Sequence, residues 1–210
     1  VLVTIRANKF GGCYIRPLVY LADGGWNLTI DTGKPRVGIA VWRQSVYLGH
    51  RTPEQGVRAN ISSFTRHHPN SMMTKAKLSG NYVNSILAKT ESANAGYDEA
   101  ILLDERGFVC EGSGENIFLV REGEIVTPPH GAAILDGINR KSVIQIARDL
   151  GYTVVERDIA RAELYLAEEV FLTGTAAELV PVREIDDHPL GQPGEITRHV
   201  QAKFEDALCG

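Results

Sequence analysis

Four short apolar segments follow one another between residues 99 and 127, and tight turns separate them. The segments are EAILLD, FVCEG, NIFLVR and IVT, and the turns contain ERG, a glycine-serine-glycine corner and EGE. Short runs rich in β-branched and aromatic residues, bounded by glycine and charged residues, are typical of β-strands joined by hairpins. The chain is therefore predicted to contain a β-meander, followed by the stop at PP.

Helical periodicity is found on both sides of this meander. Residues 139–150, NRKSVIQIARDL, repeat apolar side chains at helical spacing, and Gly151 ends the pattern. A second helix is predicted from Ser79, as its N-cap, to about Ala95. The other predicted elements are strands at VLVTIRANKF, CYIRPLVYLA, RVGIAVW, GVRANISSF, YTVVERDI, EEVFLTG and AELVPV, a short helix at RAELYLA and a last helix at EITRHVQAKFEDAL. The sequence therefore predicts a mixed α/β fold.

Composition and charge exclude several classes of protein. A hydrophobic content of 43% and a formal net charge of −4 are typical of a globular domain. Lysine and arginine form no block interleaved with aromatic residues, so nucleic acid is not a predicted partner. The three cysteines have no C-x-x-C spacing and predict neither a disulfide framework nor a metal site. No apolar run approaches the ~20 residues of a membrane span, and we expect a cytoplasmic protein.

We expect the chain to contain parts of two domains. Residues 1–42 hold strand-like segments around a glycine-rich turn, which is too little material for a sheet core of its own. A polar interdomain loop is predicted at residues 43–52, and residues 53–210 are predicted to form a large domain. Because a strand-like segment begins at Val1, we expect the chain to be part of a longer protein.

Two lysines one residue apart, Lys75 and Lys77, precede the predicted second helix. Most lysines are solvated surface charges. In a desolvated setting of small residues, however, the pKa of a lysine falls and its free amine can condense with a carbonyl. Lys77 fits that description better than Lys75, because it lies just before the helical turn that carries Tyr82, a phenol able to bind a ring oxygen of an aromatic aldehyde.

A carboxylate, Glu111, ends a predicted strand at the corner FVCEGSGENIF. Inside a covered pocket this charge would require a cation or a protonated ring nitrogen, and a pyridinium nitrogen is such a partner. The alternative interpretation is a surface acid on a hairpin. A dinucleotide site is not indicated, because Ile117 stands where G-x-G-x-x-G requires its last glycine.

Two further segments have the form of anion sites. LDGINRKS leads into the helix at residue 139, whose first amides and dipole could hold a phosphate. LTGTAAE ends a predicted strand at Gly174 and Thr175, which offer amides and a hydroxyl. Neither feature alone identifies a phosphate site.

Five motifs together resemble one family. YIRPLVY, KAKLSGNY, EGSGENIF, DGINR and EEVFLTGTAAE are similar, in order and approximate spacing, to motifs of the class IV aminotransferases, and most closely to branched-chain amino acid aminotransferases. The resemblance covers nearly the whole chain. It implies fold type IV, with a large α/β domain and the C-terminal part of a small α/β domain. It also implies pyridoxal 5'-phosphate as cofactor, an amino acid and a 2-oxo acid as substrates, and a homodimer or higher homo-oligomer.

The resemblance also implies roles around the cofactor ring. Lys77 would form the Schiff base and carry the proton between the substrate Cα and the cofactor, whereas Lys75 would be only a neighbour. Tyr82 would bind the phenolic oxygen, Glu111 would keep the ring nitrogen protonated, and Leu135 would pack on the ring.

At the phosphate, the resemblance implies backbone contacts from Gly137, Ile138 and Asn139, together with Thr175. The family commonly has threonine where this chain has Asn139. The family also has a phosphate-binding arginine in an N-terminal part of the small domain, and the resemblance implies that this part precedes Val1.

The substrate residues implied by the resemblance are Tyr14, Arg16, Tyr47, Thr175 and Ala176. An arginine fork suits an α-carboxylate. At VWRQSVYLG, however, Trp42 stands two positions early and Gln44 occupies the usual tryptophan place. D-amino acid aminotransferases, (R)-selective amine aminotransferases and aminodeoxychorismate lyases therefore stay open as alternatives, as does a non-catalytic dimerisation module.

Overall fold

The computed structural model describes residues 1–25, 28–29, 33–43 and 55–209. The chain divides into two compact units, Val1–Tyr47 and Leu48–Gly210. Over the described ranges, no helix is both long enough and apolar enough to cross a membrane.

The first unit contains helix α1, Leu2–Ala7, and a hairpin of β1, Tyr14–Ala22, with β2, Lys34–Trp42. The two strands are antiparallel, and their register pairs Tyr14 with Trp42 and Arg16 with Ala40. The hairpin agrees with the two strands predicted from the sequence.

The strand predicted at VLVTIRANKF is wrong, because this segment forms α1. Its β-branched residues favour strands, but helical backbone bonds form instead, from Ile5 N to Val1 O and from Asn8 N to Thr4 O, both 3.1 Å. The Asn8 side chain also donates to Thr4 O. Lys9 then takes a left-handed conformation with φ of 56°, which ends the helix.

The second unit is built on one sheet. Its strands are β3 Val57–Ile61, β4 Glu99–Leu103, β5 Val109–Gly112, β6 Asn116–Arg121, β7 Glu124–Thr127, β8 Val154–Glu156, β9 Glu169–Gly174, β10 Glu178–Ile185 and β11 His188–Pro189. The antiparallel pairing of β4 to β7 confirms the predicted meander.

Long-range pairings close part of this sheet into a ring. β3 pairs in parallel with β4 and β10, and β9 pairs antiparallel with both β6 and β10. The strands β3, β4, β5, β6, β9 and β10 thus return to their starting point. Closure removes sheet edges and leaves turns at the ends of the ring strands as places for functional groups.

Alternating side chains of the ring strands separate two apolar cores. In β6, Ile117 and Leu119 join a cluster with residues of every ring strand, whereas Phe118 and Val120 pack in a second cluster against helices. The Phe118 ring stacks on Phe171 of β9, with centroids 4.9 Å apart. This two-residue period follows from the pleat of a strand buried on both faces.

The helices of the second unit are α2 Tyr82–Asn94, α3 Ile138–Asp149, α4 Arg161–Tyr165 and α5 Glu195–Cys209. Ser79 is not the N-cap of α2, as the sequence predicts, because residues Ser79–Asn81 form a 3-10 turn and Asn81 takes the cap position. Gly96 and Gly151, with φ of 84° and 88°, follow α2 and α3. Both glycines act as the stop signals that the sequence indicates.

Candidate active site

A cleft of about 430 Å³ opens in the second unit. It combines the loop before α2, the first turn of α2 and the corner between β5 and β6. Its lining consists of Arg66, Thr74, Ala76, Lys77, Leu78, Asn81, Tyr82, Ser85, Glu111, Ser113, Gly114, Glu115, Asn116 and Leu135. The structure therefore brings together four of the ring-binding residues implied by the resemblance: Lys77, Tyr82, Glu111 and Leu135.

Glu111 is one of two buried carboxylates that line this cleft, the other being Glu115, and its side chain is 6% exposed. Its Oε1 lies 2.8 Å from Arg66 Nη2. Its Oε2 accepts hydrogen bonds from the amide of Leu135 at 2.8 Å and from Asn116 Nδ2 at 3.3 Å. A carboxylate offers about four acceptor positions, so three donors fix its orientation and leave capacity for one more, such as a protonated ring nitrogen.

Opposing influences act on the ionisation of Glu111. Burial raises the pKa of its carboxyl group, and the Arg66 guanidinium and the Leu135 amide act in the opposite direction. An ion pair of this kind keeps the charged form present in a dry environment. Glu111 is thus a buried acid paired with a cation rather than a surface acid of a hairpin.

Arg66 is a site residue that the sequence analysis missed. Its guanidinium is buried, and besides Glu111 it contacts Asn84 Oδ1 at 3.3 Å. Its backbone amide donates to Leu103 O at 2.8 Å, which fixes the segment beside β4. Nothing in RHHPN distinguishes this arginine from a surface charge, because its partner lies far away in the sequence.

The two lysines have different surroundings. Lys77 lines the cleft, and its Nζ lies 5.5 Å from the centroid of the Tyr82 ring. Lys75 does not line the cleft but donates from Nζ to Ala132 O at 2.8 Å. Burial lowers the pKa of Lys75, while the carboxylates of Glu111 and Asp136 act in the opposite direction.

The expectation of a desolvated Lys77 is not met by the described residues, since Lys77 is exposed. The small residues around it leave the amine open to the cleft instead of covering it. The choice of Lys77 over Lys75 nevertheless agrees with the geometry, because only Lys77 of the two lines the cleft.

Asn81 supports the loop that carries both lysines. It is buried, and its Nδ2 donates to Met73 O and Ala76 O, both at 3.1 Å. From the sequence, Asn81 is expected only to supply a short polar group beside Lys77. Its two bonds hold the backbone on either side of Lys75 and place Lys77 next to the start of α2.

The start of α3 lies beside the cleft. Gly137 takes the N-cap position, and the first helical bond runs from Lys141 N to Gly137 O at 3.2 Å. The amides of residues 138–140 precede this bond and therefore have no acceptor within the helix. A Cβ atom on Gly137 would lie 2.2 Å from Oδ1 of Asn116, which lines the cleft. Only glycine permits this approach. The side chain of Ile138 is 80% exposed, so its implied contact with phosphate rests on the backbone.

The turn after β9 borders the opposite side of the same corner. A Cβ atom on Gly174 would lie 3.3 Å from the carbonyl oxygen of Gly114. Thr175 is exposed and Ala176 is half-buried. The lining of the cleft does not include Gly137, Ile138, Asn139, Thr175 or Ala176. Gly137 approaches Asn116, and Gly174, which precedes Thr175, approaches Gly114 and Glu115, all three of which line the cleft.

These residues fit pyridoxal phosphate. The cleft offers a buried carboxylate with one remaining acceptor position, a phenol and a primary amine. Helix amides and a hydroxyl lie beside the same corner. Among the described residues, no group of three or more histidine, cysteine or acidic side chains could hold a metal ion.

In the first unit, Arg16 is held against aromatic rings. Its guanidinium carbon lies 5.5 Å from the centroid of Tyr14 and 5.9 Å from that of Trp42. Arg16 Nη2 also donates to the Tyr14 hydroxyl at 3.4 Å. Tyr47 and Gln44 lie outside the described residues, as does the predicted interdomain loop after Arg43.

Comparisons with known proteins support one family. The family model Amino-transferase class IV matches residues 2–185. A branched-chain-amino-acid aminotransferase of Pseudomonas aeruginosa is 43% identical over 98% of this chain and 67% of the relative. That of Escherichia coli is 42% identical over 98% of this chain and 68% of the relative. The chain thus spans about two thirds of the length of these relatives.

Solved structures give the same result. The branched-chain aminotransferase of Thermoproteus uzoniensis with norvaline superposes with a TM-score of 0.92 at 44% identity, covering 97% of this chain and 67% of that one. The Escherichia coli enzyme superposes with a TM-score of 0.93 at 41% identity, covering 96% and 67%. The Thermobaculum terrenum enzyme, in its holo form with pyridoxal phosphate, has a TM-score of 0.89 at 36% identity, covering 97% and 67%. The chain therefore belongs to the class IV aminotransferases, the pyridoxal-phosphate-dependent enzymes of fold type IV.

Proposed function

We propose that this protein transfers the amino group of branched-chain L-amino acids, namely leucine, isoleucine and valine, to 2-oxoglutarate. The observation that carries the proposal is the cleft in which the Lys77 amine opens beside the buried Glu111–Arg66 ion pair. The similarity to branched-chain aminotransferases over 98% of the chain supports the choice of substrate.

Pyridoxal phosphate supplies an aldehyde that links to amines and a pyridinium ring that withdraws electrons from the substrate Cα. Lys77 would hold the cofactor through its Nζ and would act as the general base that accepts the proton of the substrate Cα. Glu111 would hold a proton on the ring nitrogen, and the Arg66 guanidinium, 2.8 Å away, favours the charged form of the Glu111 carboxylate.

The remaining cofactor contacts serve orientation. Tyr82, which lines the cleft, would donate a hydrogen bond from its hydroxyl to the ring oxygen, and Leu135 would pack on the ring. The backbone amides of Ile138 and Asn139 at the start of α3 would bind the phosphate, assisted by the hydroxyl of Thr175. By fixing the cofactor, these residues would bring the substrate Cα within reach of Lys77 Nζ, which raises the rate of proton transfer.

Arg16 recognises the α-carboxylate, because a guanidinium fork matches its geometry. Tyr14 and Trp42 hold that guanidinium, while Thr175 and Ala176 provide a second contact to the carboxylate. Tyr47 belongs to the same proposed substrate set. An apolar pocket wall would favour leucine, isoleucine and valine as donors, because it buries their apolar side chains. The active assembly is a homodimer or a higher homo-oligomer in the cytoplasm, and light scattering on the purified protein measures its mass.

A substrate panel on the full-length protein tests this function. With 2-oxoglutarate as acceptor, L-leucine, L-isoleucine and L-valine should give the highest kcat/KM. D-alanine and (R)-1-phenylethylamine represent the other activities of the fold. If either outpaces every branched-chain L-amino acid, the branched-chain assignment is wrong. A protein that binds pyridoxal phosphate but transaminates nothing would overturn the catalytic proposal and leave a binding module.

A further inference from the structure

Two buried acids, Glu99 and Glu115, meet behind the cleft. Glu99 begins β4 and is fully buried, and Glu115 lies in the corner between β5 and β6 with an exposure of 3%. Their carboxyl groups lie against each other, and successive amides of the corner donate to them, Ser113 N to Glu99 Oε1 and Gly114 N to Glu115 Oε2, both at 3.1 Å. Glu115 also lines the cleft, so this contact lies directly behind the proposed cofactor site.

Among the described residues, the cation in contact with this acidic pair is Lys89. It belongs to α2 and lies 2.5 Å from Glu99 Oε2. On the side of β9, the residue that packs against Glu115 is Gly174, which carries no charge. The carboxylate of Glu111 is already engaged by Arg66 and Leu135. Besides Glu111, the titratable groups that line the same cleft are Arg66, Lys77 and Tyr82.

Two ionised carboxylates cannot hydrogen-bond to each other, because each is an acceptor only. Lys89, the one described cation in contact with the pair, balances only one of the two buried charges, so the other acid takes a proton, as in other paired carboxylates that share a site. Glu99 Oε1 accepts from the amides of Ala100 at 2.8 Å and Ser113 at 3.1 Å, in addition to the contact with Lys89. These donors stabilise Glu99 in its charged form.

Glu115 has fewer donors. Its Oε2 accepts from the amide of Gly114 at 3.1 Å. Burial and the neighbouring charge of Glu99 raise the pKa of Glu115 to about 8. Because Glu99 has three donors among the described residues, one of them a cation, and Glu115 has one, the proton of the pair belongs to Glu115.

We propose that Glu115 is a positioning residue that, as a neutral acid, donates a hydrogen bond to Glu99 and so fixes the corner that carries the cofactor-binding carboxylate. The corner is tied at three points: Ser113 N to Glu99, Gly112 N to Glu115 O at 2.7 Å, and Gly114 N to Glu115 Oε2. Its flanks are Glu111 and Asn116, which face each other in the ladder. The inference rests on the proposed cofactor site but not on the choice of amino acid.

The packing of Glu115 explains why a charge there would matter. A Cβ atom on Gly174 would lie 3.3 Å from Glu115 Cγ, and one on Gly112 would lie 3.0 Å from Glu115 Oε2. The carboxyl group is thus confined between two glycines and cannot turn away to water without moving the corner. Loss of its proton would place two like charges in contact, so we expect the corner to loosen as Glu115 ionises with rising pH.

Infrared spectroscopy on the holoenzyme tests the protonation directly. The spectrum of the wild type minus that of Glu115→Gln at pH 7 should contain the carbonyl band of a neutral carboxylic acid, which disappears with a midpoint near pH 8. Contributions from Glu111 and the cofactor cancel in this difference. Glu99→Gln should also remove the band, because Glu115 then ionises beside Lys89. Absence of the band from the wild type would overturn the proposal.

Release of pyridoxal phosphate into a trap of excess apo-acceptor tests the positioning role. Between pH 7 and pH 9 the wild type should release the cofactor about tenfold faster, because release should follow the ionised fraction of Glu115, which rises about tenfold over this range for a pKa of about 8. Glu115→Gln keeps a neutral donor and should show little additional release. Glu122→Gln, at an exposed acid, serves as the matched control and should follow the wild type.

The outcomes separate this inference from the proposed function. If Glu115→Gln accelerates with pH as the wild type does, the positioning role is wrong. If Glu115→Gln does not fold, the wild-type titration and Glu99→Gln still decide the protonation. If the wild type binds no pyridoxal phosphate, the proposed cofactor site fails, whereas the infrared band of the acid pair is unaffected.

Discussion

Tyr14 and Trp42 face each other across the β1–β2 hairpin, with ring centroids 4.8 Å apart. The guanidinium of Arg16 lies within 5.9 Å of both centroids. The early tryptophan, which the sequence analysis describes only as a departure from the family, is therefore the cross-strand partner of Tyr14. The two rings restrict the arginine side chain through cation–π contacts.

Replacing Trp42 tests whether this contact orients Arg16. Trp42→Ala should raise KM for L-leucine by about 2- to 30-fold with a smaller effect on kcat, because cation–π contacts contribute ~0.5–2 kcal/mol and 1.4 kcal/mol is a factor of ten. Trp42→Phe retains an aromatic face and should recover most of the loss. Equal losses for both variants would assign Trp42 to packing instead of to Arg16.

Arg16 itself is predicted to recognise the α-carboxylate. Arg16→Leu should reduce kcat/KM for amino acids by the equivalent of about 2–5 kcal/mol, the cost of removing one partner of a desolvated charge pair. A primary amine without a carboxylate should be affected little, and it provides the internal control in the same assay. A comparable loss with that amine would contradict carboxylate recognition.

The two lysines should differ in their chemistry. Lys77→Ala should abolish the visible absorbance of the protein-linked cofactor and the transamination half-reaction, since only Lys77 of the two lines the cleft. Lys75→Ala should keep both and lose ~1 kcal/mol of stability, because it removes the hydrogen bond to Ala132 O. Borohydride reduction followed by peptide mapping locates the label. A dead Lys75→Ala with an active Lys77→Ala would reverse the assignment.

Glu111 is predicted to act on the ring and not merely to bind it. Glu111→Gln keeps the shape but removes the charge that holds the ring nitrogen protonated, so kcat should fall far more than the affinity for pyridoxal phosphate. Stopped-flow measurement of the half-reaction and a cofactor titration give the two values. Unchanged turnover would place this acid outside the reaction.

Arg66 is predicted to stabilise the fold through Glu111. Arg66→Met leaves a buried carboxylate without its cation and should lower the free energy of unfolding by about 3–5 kcal/mol. Denaturant unfolding of the single variants and of Arg66→Met/Glu111→Gln completes a double-mutant cycle. The double variant should recover much of the loss. Strict additivity of the two changes would show that the pair is not coupled.

Local patterns account for much of the fold. The alternation of Ile117, Phe118, Leu119 and Val120 predicts a strand with two buried faces, and these residues divide between the two cores. Helical spacing predicts α3, and Gly151 predicts its end. These signals are readable because the period of side-chain burial and the conformation of glycine act within a few residues.

The chemistry of the cleft is also encoded in motifs. Lys77, Tyr82, Glu111 and Leu135 are identified from the sequence and lie in one cleft. The sequence does not predict the exposure of Lys77 or the support of its loop by Asn81. Both depend on how a loop without regular structure packs.

Tertiary structure alone decided which residues contact each other. α1 is helical although its composition favours a strand, and Ser79 lies in a turn before α2. The ion pair of Arg66 with Glu111 and the contact of Glu99 with Glu115 join residues from separate elements. The sequence by itself determined which faces are apolar and which residues carry chemistry. The folding of the strands from β3 to β10 into a closed ring decided which charged side chains meet. Such contacts gain their energy from burial, and a periodic pattern of nearby residues contains no information about them.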